Sequence, residues 1–426
     1  MVPYPSSTEP KTDSARANVL SRTSPRERRF HGEFIQPLVA SALEDLRTGY
    51  IPSGSKWCLP RAVPSETLHG QERSFEFDPS TKKRKRKLQC PQNDDATAAM
   101  ESPKLLATPP TILSSTSINK SSSVSELEGV VKNPSTEETL LLISQDGMPC
   151  PSEYIVPPRS AFILCTLPLS QAEPLQTPIP GLPSSQRFNL MLFDPPWPNR
   201  SVRRSKGYQT HAYDEMDVLS QRLQDILRVH AFRPNGDSAD TITAPESQPE
   251  HSSQESFAAI WITNSERARK VAYESLLASG FRIQEEWIWI KVTANGEPVC
   301  PLNGLWRKPY EILIIGRKDS ASDLLSDPGC AISPTILNST DDLLGVDPST
   351  ISRRVIAAVP DLHSRKPNLK PLFERILFGC TSGSDRKSYS ALEVFARSLT
   401  SEWWACGNEA VKFNARDCWV EHDDSV

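Results

Sequence analysis

The sequence predicts an α/β protein, a sheet of buried strands with helices on both faces. Two observations carry this. Between residues 186 and 418, short continuous apolar runs such as FAAIWIT (257–263) and YEILIIGRK (310–318) alternate with amphipathic stretches. Prolines number 38 against 18 glycines, which points to extended, unpacked segments around that folded unit.

Residues 1–28 are polar and are expected to be disordered. Residues 29–50 follow as a short helical segment. Phe34, Ile35, Leu38, Val39, Leu43 and Leu46 fall at helical spacing, with Pro37 tolerated only in a first turn. Residues 51–124 are poor in apolar side chains and read as a disordered linker. This linker carries six consecutive basic residues, Lys82 to Lys87. A solvated charge run is the plain reading. A nuclear localisation signal is the sharper one and sends the chain to the nucleus, with a cytoplasmic pool left open.

Residues 125–185 form a small β-containing region, with strands in TEETLLLIS (136–144) and YIVPPRSAFILCTL (154–167). The main domain opens with the strand RFNLMLF (187–193), followed after a gap by a helix over 215–229 that carries Leu219, Leu223, Ile226 and Leu227 on one face. Residues 231–256 are a polar loop insertion. A strand over 257–263 leads, through Asn264 as a cap, into a helix ending at Gly280. Strands over 281–293 and 310–318 come next, then a second insertion over 319–350. A helix over 366–377, a strand over 391–397 and a last turn-and-strand unit over 403–413 complete the domain, before a tail over 419–426.

Composition narrows the function. The net charge of −4 gives no global field toward nucleic acid, so any such contact must be local. The nine cysteines include no C-x-x-C pair, which argues against a zinc site and a disulfide framework, and no metal is implied. The first residues have no apolar core of a signal peptide, and no apolar run approaches the roughly 18 residues a membrane helix needs.

The informative stretch is FDPPWPNRSVRRSKGY (193–208). Asp194 stands at the carboxyl end of a buried strand, where open α/β sheets bind ligands. A carboxylate beside carbonyls held rigid by Pro195 and Pro196 can accept both hydrogens of an exocyclic amine. Trp197 offers a face on which a base can stack. Together these would hold the amino group of adenine. Bonding both hydrogens favours a more tetrahedral nitrogen whose lone pair can attack a methyl sulfonium, so S-adenosylmethionine is the expected donor. The base has to be presented unstacked. Asn199, Arg200, Arg203, Arg204, Lys206, Tyr208 and His211 follow at once. A solvated face is the default for such a run, but beside a base-binding turn they read as phosphate and stacking contacts. Arg307, Lys308 and Tyr310 make a second patch of the same kind.

DPPWPNRSVRRSKGY (194–208), WRKPYEILIIGR (306–317), LHSRKPNLKPLF (362–373), and EVFAR with WWACGNEAVKF (393–413) together resemble the MT-A70 family of adenine-N6 methyltransferases, most nearly its methyltransferase-like protein 4 branch. The resemblance covers about residues 125 to 415. It implies a Rossmann-like class I methyltransferase sheet with permuted motif order, the cofactor segments lying after the catalytic one. It implies that Asp194 faces both amine and cofactor, that Lys366 takes the cofactor carboxylate, and that Arg397, Asn408 and Glu409 hold ribose and adenosine. Thr166 falls at the adenine end, where Cys165-Thr166 replaces the family's Ser-Asp. Cys406 replaces an aromatic before Gly407. The substrate it implies is RNA, within this branch 2′-O-methyladenosine of small nuclear RNA. DNA is the alternative because it presents the same base edge, and a non-catalytic nucleic-acid-binding subunit is the alternative of another class.

Overall fold

A computed structural model describes residues 9–50, 109–144, 150–169, 174–197, 216–233, 255–305, 307–318, 346, 348–361, 365–380 and 388–419. The basic run Lys82–Lys87, the segment from Asn199 to His211 and most of both expected insertions lie outside these residues.

In chain order the strands are β1 (Thr111–Ile112), β2 (Asn119–Ser121), β3 (Val130–Lys132), β4 (Thr139–Ile143), β5 (Ser152–Val156), β6 (Ala161–Leu164) and β7 (Leu190–Phe193). They continue with β8 (Phe257–Ile262), β9 (Phe281–Lys291), β10 (Tyr310–Lys318), β11 (Ser352–Ala358), β12 (Ala391–Val394) and β13 (Trp404–Gly407). The helices are α1 (Asp13–Arg22), α2 (Pro25–Arg29), α3 (Gln36–Asp45), α4 (Met216–His230), α5 (Glu266–Ala278) and α6 (Lys370–Ile376).

Ten strands form one sheet in the order β1-β3-β6-β13-β12-β7-β8-β10-β9-β11. From β6 to β8 all neighbours run parallel, so five carboxyl ends lie along one edge. β10 runs antiparallel between β8 and β9. The last two of the described strands, β12 and β13, fill the middle of the sheet between β6 and β7.

The sheet is buried on both faces, as its unbroken apolar strands require. One face packs on α3, α4 and α5 through Val39, Leu43, Leu219, Leu223, Val271 and Leu276. The other packs on α6 through Phe373, which stacks between Trp287 and Trp403. Toward β6 that second face is covered by the three-stranded sheet β2-β4-β5, through Leu141, Tyr154 and Val156 against Phe162, Leu164 and Ala405.

Four expectations change. Residues 109–124, expected to belong to the disordered linker, carry β1 and β2. YIVPPRSAFILCTL folds as two strands: Pro157, Pro158 and Arg159 turn the chain, and β6 joins the main sheet instead of the small region. Asn264 does not cap α5; its side chain donates to the Tyr310 carbonyl at 2.6 Å, and Ser265 takes the cap position. Residues 13–22 and 25–28, expected to be disordered, are helical. Thr12 caps α1 by accepting from the Ala15 amide, and Ser24 caps α2 by accepting from Glu27. The chain then runs through a π-helical turn (Phe30–Ile35) into α3, with Pro37 in its first turn. This N-terminal arm is tied to the β9–β10 loop. Glu9 accepts from the Leu305 amide, Gln36 donates to the Leu302 carbonyl, and Arg47 pairs with Glu297 at 2.7 Å.

Candidate active site

The pleat of four strands decides which side chains meet. Asp194 follows β7 on the same face as Leu192, which is paired in register with Glu393 of β12. On β10, Glu311 is in register with Trp289 of β9, and Lys291 lies two residues beyond Trp289 on that face. Asp194, Glu393, Glu311 and Lys291 therefore project from one edge on the α6 side. Lys366, just before α6, reaches into them: Nζ donates to Asp194 Oδ1 at 2.9 Å and lies 3.2 Å from Glu311 Oε2. Lys291 Nζ bonds Glu311 from the other side.

These charges set each other's protonation. Burial alone would lower the Lys366 pKa, but Asp194 and Glu311 raise it above the ordinary lysine value, so the ammonium is permanent. Burial raises the Glu311 carboxyl, yet Lys366 and Lys291 pull it down to about 2. Glu393 goes the other way. Burial and the Asp194 charge push its carboxyl up to about 8, against weaker help from Lys366 and Arg397. At neutral pH Glu393 is mostly protonated.

The Asp-Pro-Pro-Trp turn is tight. The Asp194 amide donates to the Val394 carbonyl at 3.2 Å, and the Trp197 amide to the Pro195 carbonyl at 2.8 Å. One acceptor position of Pro195 is thus spent within the turn, and the other is left for a ligand. Asp194 is 8% exposed. Its Oδ2 has no hydrogen-bond partner among the described residues.

Trp197 departs from expectation. Its ring is 5% exposed and its Nε1–H donates to the Trp261 carbonyl at 2.7 Å, so it braces the turn and leaves little face for a base. Tyr310 departs too: it is fully buried on the opposite face, its hydroxyl 3.0 Å from His31 Nδ1 of the arm. The pleat puts Glu311, one residue on, at the site in its place. Lys308 is half-buried, its Nζ donating to the Gly304 carbonyl at 2.9 Å, and burial lowers its pKa. Asn199, Arg200, Arg203, Arg204, Lys206 and Tyr208 lie outside the described residues.

The expected cofactor residues stand in a row on successive carboxyl ends: Thr166 after β6, Asn408 and Glu409 after β13, Arg397 after β12, and Asp194 after β7. Glu409 Oε2 lies 3.6 Å from Arg397 Nε, and Glu409 Oε1 is 2.8 Å from Lys412 Nζ. Gly407 makes the exit from β13 possible. Its φ is +148°, and a Cβ there would meet Phe395 Cα and the Ala396 amide nitrogen at 3.3 Å. Thr166 and Asn408 are exposed. Three strand spacings of roughly 4.8 Å separate the ends of this row, which suits an elongated ligand lying across the edge. The row fits S-adenosylmethionine chemically: an ammonium for a carboxylate at one end, hydroxyl-binding Asn408 and Glu409 in the middle, and a carboxylate near the sulfonium.

Sequence reasoning missed Glu311, Lys291 and Glu393. Their signal is faint: each is a single charge next to apolar residues, at the tip of its strand or within it.

Residues 247–409 match the MT-A70 family model. The N6-methyladenosine RNA methyltransferase MTA1 of Cryphonectria parasitica is 33% identical over 242 residues, covering 55% of this chain and 55% of the relative. MTA1 of Pyricularia oryzae is 30% identical over 276 residues, covering 63% and 57%. The N(6)-adenine-specific methyltransferase METTL4 of Mus musculus is 28% identical over 271 residues, covering 63% and 45%. The chain thus spans about half the length of the curated relatives it matches. Over the matched residues, which include Lys366, Arg397, Asn408 and Glu409, the chain is similar to the MT-A70 family and to these relatives.

Proposed function

We propose that the protein transfers a methyl group from S-adenosylmethionine to the N6 amine of adenine in RNA. The observation that carries this is Asp194, at a strand tip and bonded to Lys366 through Oδ1, with no partner for Oδ2 among the described residues. In this reading Lys366 would hold the donor's carboxylate and Asn408 and Glu409 its ribose, with Arg397 orienting Glu409. Bound S-adenosylmethionine supplies a methyl carbon activated by a sulfonium.

The chain's own residues supply orientation and charge. Asp194 Oδ2 and the remaining acceptor of Pro195 take the two amine hydrogens, which turns the nitrogen lone pair outward. The Asp194 carboxylate favours the positive charge that develops on that nitrogen, and Oδ2 is placed to receive the proton it sheds. Lys366 and Glu311 hold Asp194 at one angle. Protonated Glu393 adds no second negative charge beside it. The scaffold alternative would tolerate loss of such an arrangement, whereas here the acid, the lysine and the ribose row are all present.

Rossmann-like topology with permuted motif order is part of the same proposal, since the donor-binding strands β12 and β13 follow the catalytic β7 in sequence. The RNA target we favour is 2′-O-methyladenosine of small nuclear RNA, on the strength of the resemblance. Lys82–Lys87 would take the protein to the nucleus.

The test is methyl transfer from labelled S-adenosylmethionine to matched RNA and DNA oligonucleotides, one RNA carrying 2′-O-methyladenosine, with Asp194→Ala as control. Label in N6-methyladenine of RNA alone, absent in the variant, supports the proposal. Label in DNA alone replaces the substrate. No label and no donor binding removes the enzyme reading.

A further inference from the structure

The N-terminal arm has a property that packing does not explain. Helix α1 buries none of its residues, yet it is capped and held in place. Together α1 and α2 present Arg16, Arg22, Arg26, Arg28 and Arg29, all exposed. A basic surface is usually balanced by nearby acids, but most acids of this arm are occupied. Glu9 is bonded to the Leu305 amide, Glu27 accepts from the Glu266 amide at 3.4 Å, and Glu33 pairs with Arg29 at 2.9 Å. Arg16, Arg22 and Arg28 make no ion pair among the described residues, and Asp13 is the acid left beside them.

The arm's position is specific. Ser24 and Glu27 of the α2 turn bond the start of α5, which follows the carboxyl end of β8. Glu9 and Glu27 both act electrostatically on Lys308, next to exposed Arg307. His31 meets Tyr310, whose neighbour Glu311 is in the candidate site. Glu9 and Ser24, which flank α1, are thus anchored at the carboxyl edge that carries Asp194, and His31 ties the arm to the opposite face of the sheet.

We propose that α1 and α2, with Arg307, form a docking surface for the phosphate backbone of the nucleic-acid strand whose adenine enters the site. The inference rests on the function proposed above and extends it beyond the target base. Phosphates match the charge, and the separation across one sheet edge suits a strand that flips one base into the site while its flanking nucleotides lie on the arm. The chain's overall charge of −4 makes such a local surface necessary for binding a polyanion.

The experiment uses the full chain and a fluorescent single-stranded RNA of about 16 nucleotides. Affinity is measured by anisotropy over a salt series for wild type, for an Arg16→Ala, Arg22→Ala, Arg28→Ala variant, and for the matching triple Arg→Lys variant. Donor affinity by calorimetry reports the integrity of the fold. We expect the alanine variant to bind RNA about ten-fold or more weakly, with the slope of log affinity against log salt reduced by about 2, since each lost phosphate contact contributes roughly 0.7 on single strands. The lysine variant should keep the wild-type slope, because phosphate neutralisation needs charge and not the guanidinium fork. An alanine variant with wild-type affinity and slope overturns the docking surface while leaving the methyltransferase reading standing. Failure of wild type to methylate any strand or bind donor removes that reading instead.

Discussion

Lys366 Nζ donates to Asp194 Oδ1 at 2.9 Å, across 172 residues of chain. In the function proposed above the same ammonium takes the donor's carboxylate, so one group would both hold Asp194 and anchor the donor. Lys366→Met removes both contacts. The expected result is a donor KM raised about 10–100-fold together with a lower kcat, since losing a charge-assisted bond costs about 1.5–3 kcal/mol. Steady-state kinetics with varied donor would show it. A variant with unchanged donor KM would mean that the carboxylate binds elsewhere.

Asp194→Asn keeps the shape of the turn but removes the charge and turns one acceptor oxygen into a donor. Methyl transfer should fall about 10²–10³-fold, the range for losing one preorganised electrostatic contact. RNA affinity should change little. Single-turnover assays measure the first, and anisotropy the second.

Glu393 makes a pH prediction. Its folded pKa of about 8 is raised above the ordinary carboxyl value. The folded state therefore holds a proton that the unfolded state has lost. Stability from this group is greatest below about pH 4.5 and declines as pH rises toward 8. Glu393→Gln should flatten that decline, so wild type and variant should converge in acid and separate at pH 8, with the variant the more stable. Chemical denaturation across pH 5 to 9 tests this. Parallel curves would mean that the carboxyl ionises normally in the fold.

Glu286 has no exposed surface. It is held by Arg353 at 2.7 Å and by the Tyr273 hydroxyl at 2.7 Å. Arg353→Met strands that carboxylate in the core, and the expected loss is about 3–5 kcal/mol. Replacing Glu286 at the same time, with Gln, should recover part of it. A single variant unfolding at the wild-type denaturant midpoint would contradict the pairing.

Trp197→Phe separates bracing from stacking. The phenyl ring keeps an aromatic face but loses the bond from Nε1–H to the Trp261 carbonyl. If the residue braces the turn, the variant should lose about 1–3 kcal/mol of stability and activity should fall with it. If stacking were its role, both would be nearly kept.

Much of the fold was readable from apolar periodicity. The bounds of β10 match the run YEILIIGRK residue for residue, and α4 and α5 lie within one or two residues of expectation. Asp194 and Lys366 were legible because each sits in a motif whose letters suggest chemistry. Glu311, Lys291 and Glu393 were not, since a single charge at a strand tip is ordinary until the register of four strands shows that they converge. The error at Tyr310 is one step of the pleat, which no local pattern resolves when both faces of a strand are buried. The place of β6 in the main sheet was hidden for a related reason: its partner β13 lies some 240 residues downstream, and apolar content does not name a partner.

The position of β12 and β13 has a consequence for how the protein is made. Until residues 391–407 have left the ribosome, β6 and β7 have no neighbours to join them, and each offers bare amides and carbonyls to any other chain. The nascent protein is therefore two half-sheets waiting for a wedge. Its folding rate should be limited by these distant pairings, and its exposure to misassembly should persist until β13 has emerged. A message truncated anywhere before β13 would yield a protein that has lost its centre rather than its edge.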